Sequence, residues 1–98
     1  MTIVMNMDLQ VSKEDIERVS REMGTHDNPP DGLLVHVATK TASGVHVTDV
    51  WDSAASFEKF RDDQLMPAMQ KFMAENHMAP DTAPRPQLDE AFDLVRGQ

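Results

Sequence analysis

The chain has 98 residues, 40% of them hydrophobic, a formal net charge of −8 and no cysteine. That length suits a single domain, residues 1–98, whose small core gains from association with another chain. The acidity disfavours nucleic acid and anionic membrane surfaces as partners, and the absence of cysteine removes disulfides, thiolate metal sites and thiol nucleophiles.

Apolar Ile3, Met5, Met7 and Leu9 alternate with Thr2, Val4, Asn6 and Asp8, which predicts a strand with one buried face. "VSKEDIERVSREMG" follows with helix signals at both ends. Ser12 is placed to cap, with Asp15 three residues on, and Val11 can pack on Ile16. Ile16, Val19 and Met23 keep helical spacing, and Gly24 is suited to a left-handed stop. "THDNPPDG" is a loop, since its prolines end a helix and Asp31-Gly32 is turn chemistry.

"LLVHVATK" and "VHVTDVW" read as strands of a hairpin joined by Thr41–Gly44. Asp52 or Ser53 then caps a helix bearing Phe57 and Phe60. Pro67 lacks an N–H donor and clashes with the preceding turn. It predicts a kink, or one helical piece ending near Gln64 and another starting with Pro67 in its first turn. Met66, Met69, Phe72 and Met73 form the stripe of the second piece. "HMAPDTAPRP" is a proline-interrupted connector. The tail "QLDEAFDLVRG" fits either period, and local pattern alone leans towards helix. If the tail is a strand, the order is βαββαβ, an α+β ferredoxin-like fold: a four-stranded antiparallel sheet with helices on one face.

Both hairpin strands carry apolar side chains on both faces, while helices can cover only one. The expected solution is a homodimer packed sheet against sheet. Register decides which polar residues lie where, because a one-residue slip exchanges the faces. Pairing Lys40 with Gly44 groups Leu33, Val35 and Val37 with Val45, Val47 and Trp51, and segregates apolar from polar. Pairing Lys40 with Val45 instead sets His36 opposite Asp49. The first register is preferred.

His36 lies within an apolar run and is the leading candidate for a general base, with Asp49 a second candidate catalytic group. Burial would push the His36 pKa down, and a neighbouring Asp49 would push it up. Trp51, Phe57, Phe60 and Met69 are candidates for lining an apolar ligand cavity, and Asn6 is a further candidate contact. None of the four histidines has a partner at metal-ligand spacing, so no metal site is expected. No apolar run reaches the roughly 20 residues of a membrane span. The N-terminus reads as no targeting segment, and a cytoplasmic protein is expected.

"PPDGLLVHVA", the hairpin, "VTDVWDSAASFEKF" and "LMPAM" resemble an uncharacterised branch of the small dimeric α/β-barrel proteins grouped with the antibiotic-biosynthesis monooxygenase domain. The resemblance runs from about Pro29 to Met69. It implies a βαββαβ protomer whose tail is a strand, a homodimeric α/β barrel, and a cavity between helices and sheet. It also implies one of two functions. The first is a cofactor-independent monooxygenase-like enzyme acting on a small hydrophobic or aromatic molecule. The alternative is a non-catalytic dimeric small-molecule-binding or accessory module. The haem-degrading relatives carry a Trp and a His that would fall on Phe60 and near Gln70, so the resemblance implies no haem and no other cofactor.

Overall fold

The computed structural model of the chain describes residues 1–78 and 84–97. Strand β1 (Ile3–Leu9) buries Ile3, Met5, Met7 and Leu9, as its alternation predicts. Helix α1 (Lys13–Met23) starts where the Ser12 hydroxyl accepts from the Asp15 N–H, and stops at Gly24 with φ 71°. The hairpin strands are β2 (Leu33–Lys40) and β3 (Val45–Trp51). Ser53, not Asp52, caps α2 (Ala54–Phe60) by accepting from the Ser56 N–H. Helix α3 (Met66–Glu75) follows, and β4 (Gln87–Glu90) closes the order. The sheet is antiparallel, in the order β2-β3-β1-β4, with the helices over one face. The core between them holds Trp51 and Phe57, both fully buried, with the β1 methionines and Met69, Phe72 and Met73.

The hairpin corrects the preferred register. Thr41 and Gly44 exchange backbone hydrogen bonds, so the loop is only Ala42-Ser43. Lys40 therefore pairs with Val45, and His36 lies opposite Asp49. A Cβ at Gly44 would run into the Leu9 backbone carbonyl, which fixes glycine where the turn meets the end of β1. Leu34 is an extra residue in β2, a bulge between the Leu33–Trp51 and Val35–Val50 pairs. The bulge lets Leu33 share the helix face with Trp51 while Val35 and Val37 turn to the other face. The grouping of Leu33, Val35 and Val37 assumed unbroken alternation, and the bulge breaks it.

At Pro67 the chain never leaves helical geometry. Residues Arg61–Leu65 form a π turn between α2 and α3, in which the Met66 N–H reaches back to the Arg61 carbonyl. The wider turn accommodates the proline that follows it, at the start of α3. Phe57 and Phe60 do fall before the irregularity and Met69 and Phe72 after it, but the discontinuity is a widening and not a break. The tail corrects the local lean towards helix: Gln87–Glu90 pairs with β1 as a strand, and Phe92 and Val95 beyond it are exposed. Part of the proline-interrupted connector, residues 79–83, lies outside the described residues.

Candidate functional site

Between the helices and the sheet lies a cavity of about 60 Å³. Its floor is Met5, Met7 and Leu9 of β1 with Val47 of β3, and its roof is Ile16, Val19 and Met23 of α1. Phe60, Leu65 and Met69 close it from the long helix. Two polar side chains from the sheet also line it, His36 of β2 and Asp49 of β3. The register sets them side by side, with His36 Nδ1 2.6 Å from Asp49 Oδ1. The Asp49 side chain is only 6% exposed, whereas that of His36 is 38% exposed because β2 is an edge strand. The hydrogen bond to Asp49 raises the His36 pKa above its ordinary 6.5, and it outweighs the opposing effect of burial. The expectation that burial would lower this value is thereby reversed, because the register that creates the pair is the one that forms.

A carboxylate accepting at Nδ1 fixes the ring's orientation. When the imidazole is neutral, Nδ1 carries the proton and Nε2 is the basic atom. Asp49 thus occupies a position from which it orients a base and stabilises its protonated form. The chemistry available is proton abstraction beside an apolar chamber.

The remaining candidates separate. Phe60 and Met69 line the same cavity as His36 and Asp49. Trp51 and Phe57 pack against each other edge to face, with centroids 5.7 Å apart, and sit outside the cavity wall. The Phe60 ring lies 5.4 Å from Trp51, so the aromatic cluster backs the cavity through Phe60. The Trp51 indole N–H is buried without a hydrogen-bond partner among the described residues. Asn6 is on the opposite face of the sheet. There its Oδ1 accepts from the Thr48 hydroxyl at 2.8 Å and lies 3.0 Å from His46 Nε2. Leu65 was missed by sequence reasoning, because helical spacing from Phe60 falls on Gln64. The signal was present: the apolar stripe jumps five residues, from Phe60 to Leu65, as a π turn requires.

The uncovered face is graded. One row across it is Val4, Val50 and Val35, the next is Asn6, Thr48 and Val37, and the next is Asp8, His46 and Thr39. His46 Nδ1 is 2.7 Å from Asp8 Oδ1 in that last row. Among the described residues, no three His, Asp or Glu side chains converge as a metal site would need, and no helix is long and apolar enough to cross a membrane.

No family model matches the chain, and no curated protein sequence matches it. Solved structures do, along nearly its whole length. A candidate antibiotic biosynthesis monooxygenase from Deinococcus radiodurans is 18% identical with a TM-score of 0.61, over 100% of this chain and 99% of that one. A protein of unknown function from Nitrosomonas europaea is 13% identical with a TM-score of 0.67, over 99% and 95%. SnoaB, a cofactor-independent oxygenase from Streptomyces nogalater, is 14% identical with a TM-score of 0.58, over 98% and 96%. At these identities the likeness is one of fold. The chain has the ferredoxin-like α+β fold of the antibiotic-biosynthesis-monooxygenase-like proteins.

Proposed function

We propose that the protein is a cofactor-independent, monooxygenase-like enzyme acting on a small hydrophobic molecule with an acidic C–H or phenolic group. The observation that carries this reading is the His36–Asp49 pair in the wall of a cavity whose other lining residues, Ser20 apart, are apolar. His36 Nε2 removes a proton, and the resulting carbanion or phenolate supplies electrons to dioxygen. For an activated methylene the balance is R₂CH₂ + O₂ → R₂C=O + H₂O. A C–O bond forms, carbon is oxidised, one oxygen leaves as water, and His36 returns its proton to the departing oxygen. The protein supplies position, a base and exclusion of bulk water. The fold shared with SnoaB is compatible with this chemistry and does not by itself assign it.

The test is dioxygen consumption with a panel of hydroxyaromatic compounds bearing an acidic benzylic C–H, run on wild type and His36→Phe. Loss of consumption in the variant is the expected result. Full activity in the variant, or no consumption by wild type with any member of the panel, overturns the proposal. The small cavity favours one other reading, a non-catalytic binding module. That reading predicts ligand retention with no oxygen uptake.

The site is proposed to work within a homodimer. The Val4–Val50–Val35 row leaves an apolar strip on the uncovered face, with Val35 42% and Val37 47% exposed, and the exposed Phe92 follows β4 at the same end of the sheet. A second copy, related by two-fold symmetry, would cover that strip with its own. Sedimentation is expected to show twice the 11.0 kDa chain mass. A species of single-chain mass alone at micromolar concentration would rule the dimer out.

A further inference from the structure

The inner cavity poses a problem of size. At about 60 Å³ it holds a few water-sized groups, whereas ligand pockets span roughly 300–1,000 Å³. A second space lies on the outside of the helical layer. It is a groove of about 390 Å³ between the end of α1 and the start of α3, walled by Glu22, Met23, Gln64, Pro67, Ala68 and Lys71. Met23 lines both spaces. It is partly exposed, near the C-terminal end of α1, and its unbranched side chain has three rotatable bonds.

Building on the enzyme reading above, we propose that groove and cavity are the vestibule and inner chamber of one ligand site, with Met23 as the gate between them. Swinging that one side chain aside joins two volumes whose combined size falls within the range of ligand pockets. The other candidate gate is Phe60, which separates the chamber from a cleft of about 160 Å³ beside Asp31, Lys59 and Asp63. Phe60 is held against Trp51 and is almost fully buried, so moving it would open the aromatic core. Met23 is partly exposed and takes no part in the ring contacts among Trp51, Phe57 and Phe60, so it is the less costly gate.

The rim of the vestibule sets the ligand class. Lys71 is flanked by Glu22 across the groove and by Glu75 one turn beyond the groove wall, each 3.9 Å from its Nζ, so one positive and two negative charges lie at or beside the rim. The Lys71–Glu22 pair crosses the groove while both side chains stay largely exposed, and an exposed pair of this kind yields readily. On a chain of net charge −8, this rim repels anions. The ligand is therefore not an anion, is apolar where it meets the inner chamber, and is longer than that chamber.

The experiment uses two fluorescent probes that share a ring skeleton. N-phenyl-1-naphthylamine is neutral, and 8-anilinonaphthalene-1-sulfonate adds one anionic group. Wild-type protein is expected to bind the neutral probe about tenfold more tightly than the sulfonate, and the bound probe is expected to shift the His36 ring resonances. Met23→Trp fills the gate and is expected to weaken neutral-probe binding by about tenfold or more, and Ala68→Trp, which plugs the vestibule, is expected to do the same. Asp63→Trp, in the cleft beside Phe60, is expected to leave it unchanged. The use of two plugs at separate positions guards against misfolding of either one, which unfolding curves would reveal. Binding that survives both plugs, a block by Asp63→Trp alone, a probe that leaves His36 unshifted, or no binding by wild type would each overturn the two-chamber site. Because the readout is binding, Met23-dependent binding without oxygen uptake would sink the proposed reaction and leave the gate standing. His36-dependent oxygen uptake indifferent to both plugs would do the reverse.

Discussion

The sheet carries two histidine–carboxylate pairs of nearly the same geometry on its two faces. His36 Nδ1 lies 2.6 Å from Asp49 under the helices, and His46 Nδ1 lies 2.7 Å from Asp8 on the uncovered face. The carboxylates differ: the Asp49 side chain is 6% exposed and that of Asp8 is 82% exposed. Distance is therefore not what separates a candidate reactive pair from a surface pair. A buried carboxylate has few competing water partners and one neighbour to satisfy it, so its field acts on that neighbour in a low dielectric. An exposed one is solvated with or without its histidine.

The largest expected effect breaks the comparison at its reactive end. His36→Gln keeps a polar side chain of similar reach and removes the base. Turnover is expected to fall by about 10²–10⁴-fold, the usual contribution of general base catalysis, with the protein still folded. Steady-state oxygen uptake and a far-UV spectrum check both halves. His46→Gln is expected to leave turnover within about twofold of wild type, because its ring faces away from the cavity.

Next comes the partner. Asp49→Asn keeps the shape and removes the charge. Because Asp49 raises the His36 pKa, the charge-dependent stabilisation is fully present below pH 6.5 and is lost as pH rises through the raised value. The variant is expected to be less stable by about 1–2 kcal/mol at pH 6, a figure reduced for the half-exposed ring, and the deficit should narrow above the His36 pKa. Activity should move the opposite way. The base form of His36 grows with pH, so wild-type turnover should rise with a midpoint above 6.5, and Asp49→Asn should move that midpoint down. Denaturant titrations at several pH values, set beside pH–rate profiles, test both signs. A deficit that grows with pH would contradict this account of the pair.

How legible these pairs were depended on one turn. The strands were readable because Ile3, Met5, Met7 and Leu9 alternate cleanly, and α1 because Ser12 and Gly24 mark its ends. His36 and Asp49 stood out as polar residues in apolar strands. Their pairing did not, since it follows from Ala42-Ser43 forming a two-residue loop, and "TASG" carries no strong signature of loop length. The Leu34 bulge was equally silent, because an apolar residue among apolar residues shows no break in pattern. The cavity was implied by the family resemblance and not by local pattern: Phe60, Leu65 and Met69 are good core residues, and only their failure to fill the space makes a chamber. The π turn had a signal in the five-residue jump to Leu65, which a search for Pro67 alone passes over.

The smallest expected effect sharpens the comparison from the solvated side. Asp8→Asn removes the carboxylate of the His46 pair. Asp8 sits in the polar row of the uncovered face, two rows from the Val4–Val50–Val35 strip where a second copy is proposed to dock. In the dimer it should lie at the rim, where charges remain hydrated and contribute little. The Asn6–Thr48 hydrogen bond does not depend on Asp8 and should persist. The substitution is therefore expected to change stability by no more than about 0.5 kcal/mol and to leave turnover unaltered. Denaturant unfolding at two protein concentrations measures this, because an effect carried by the interface would grow with concentration. A loss as large as that of Asp49→Asn would mean that Asp8 is buried in the assembly. The distinction drawn between the two faces would then hold only for the isolated chain.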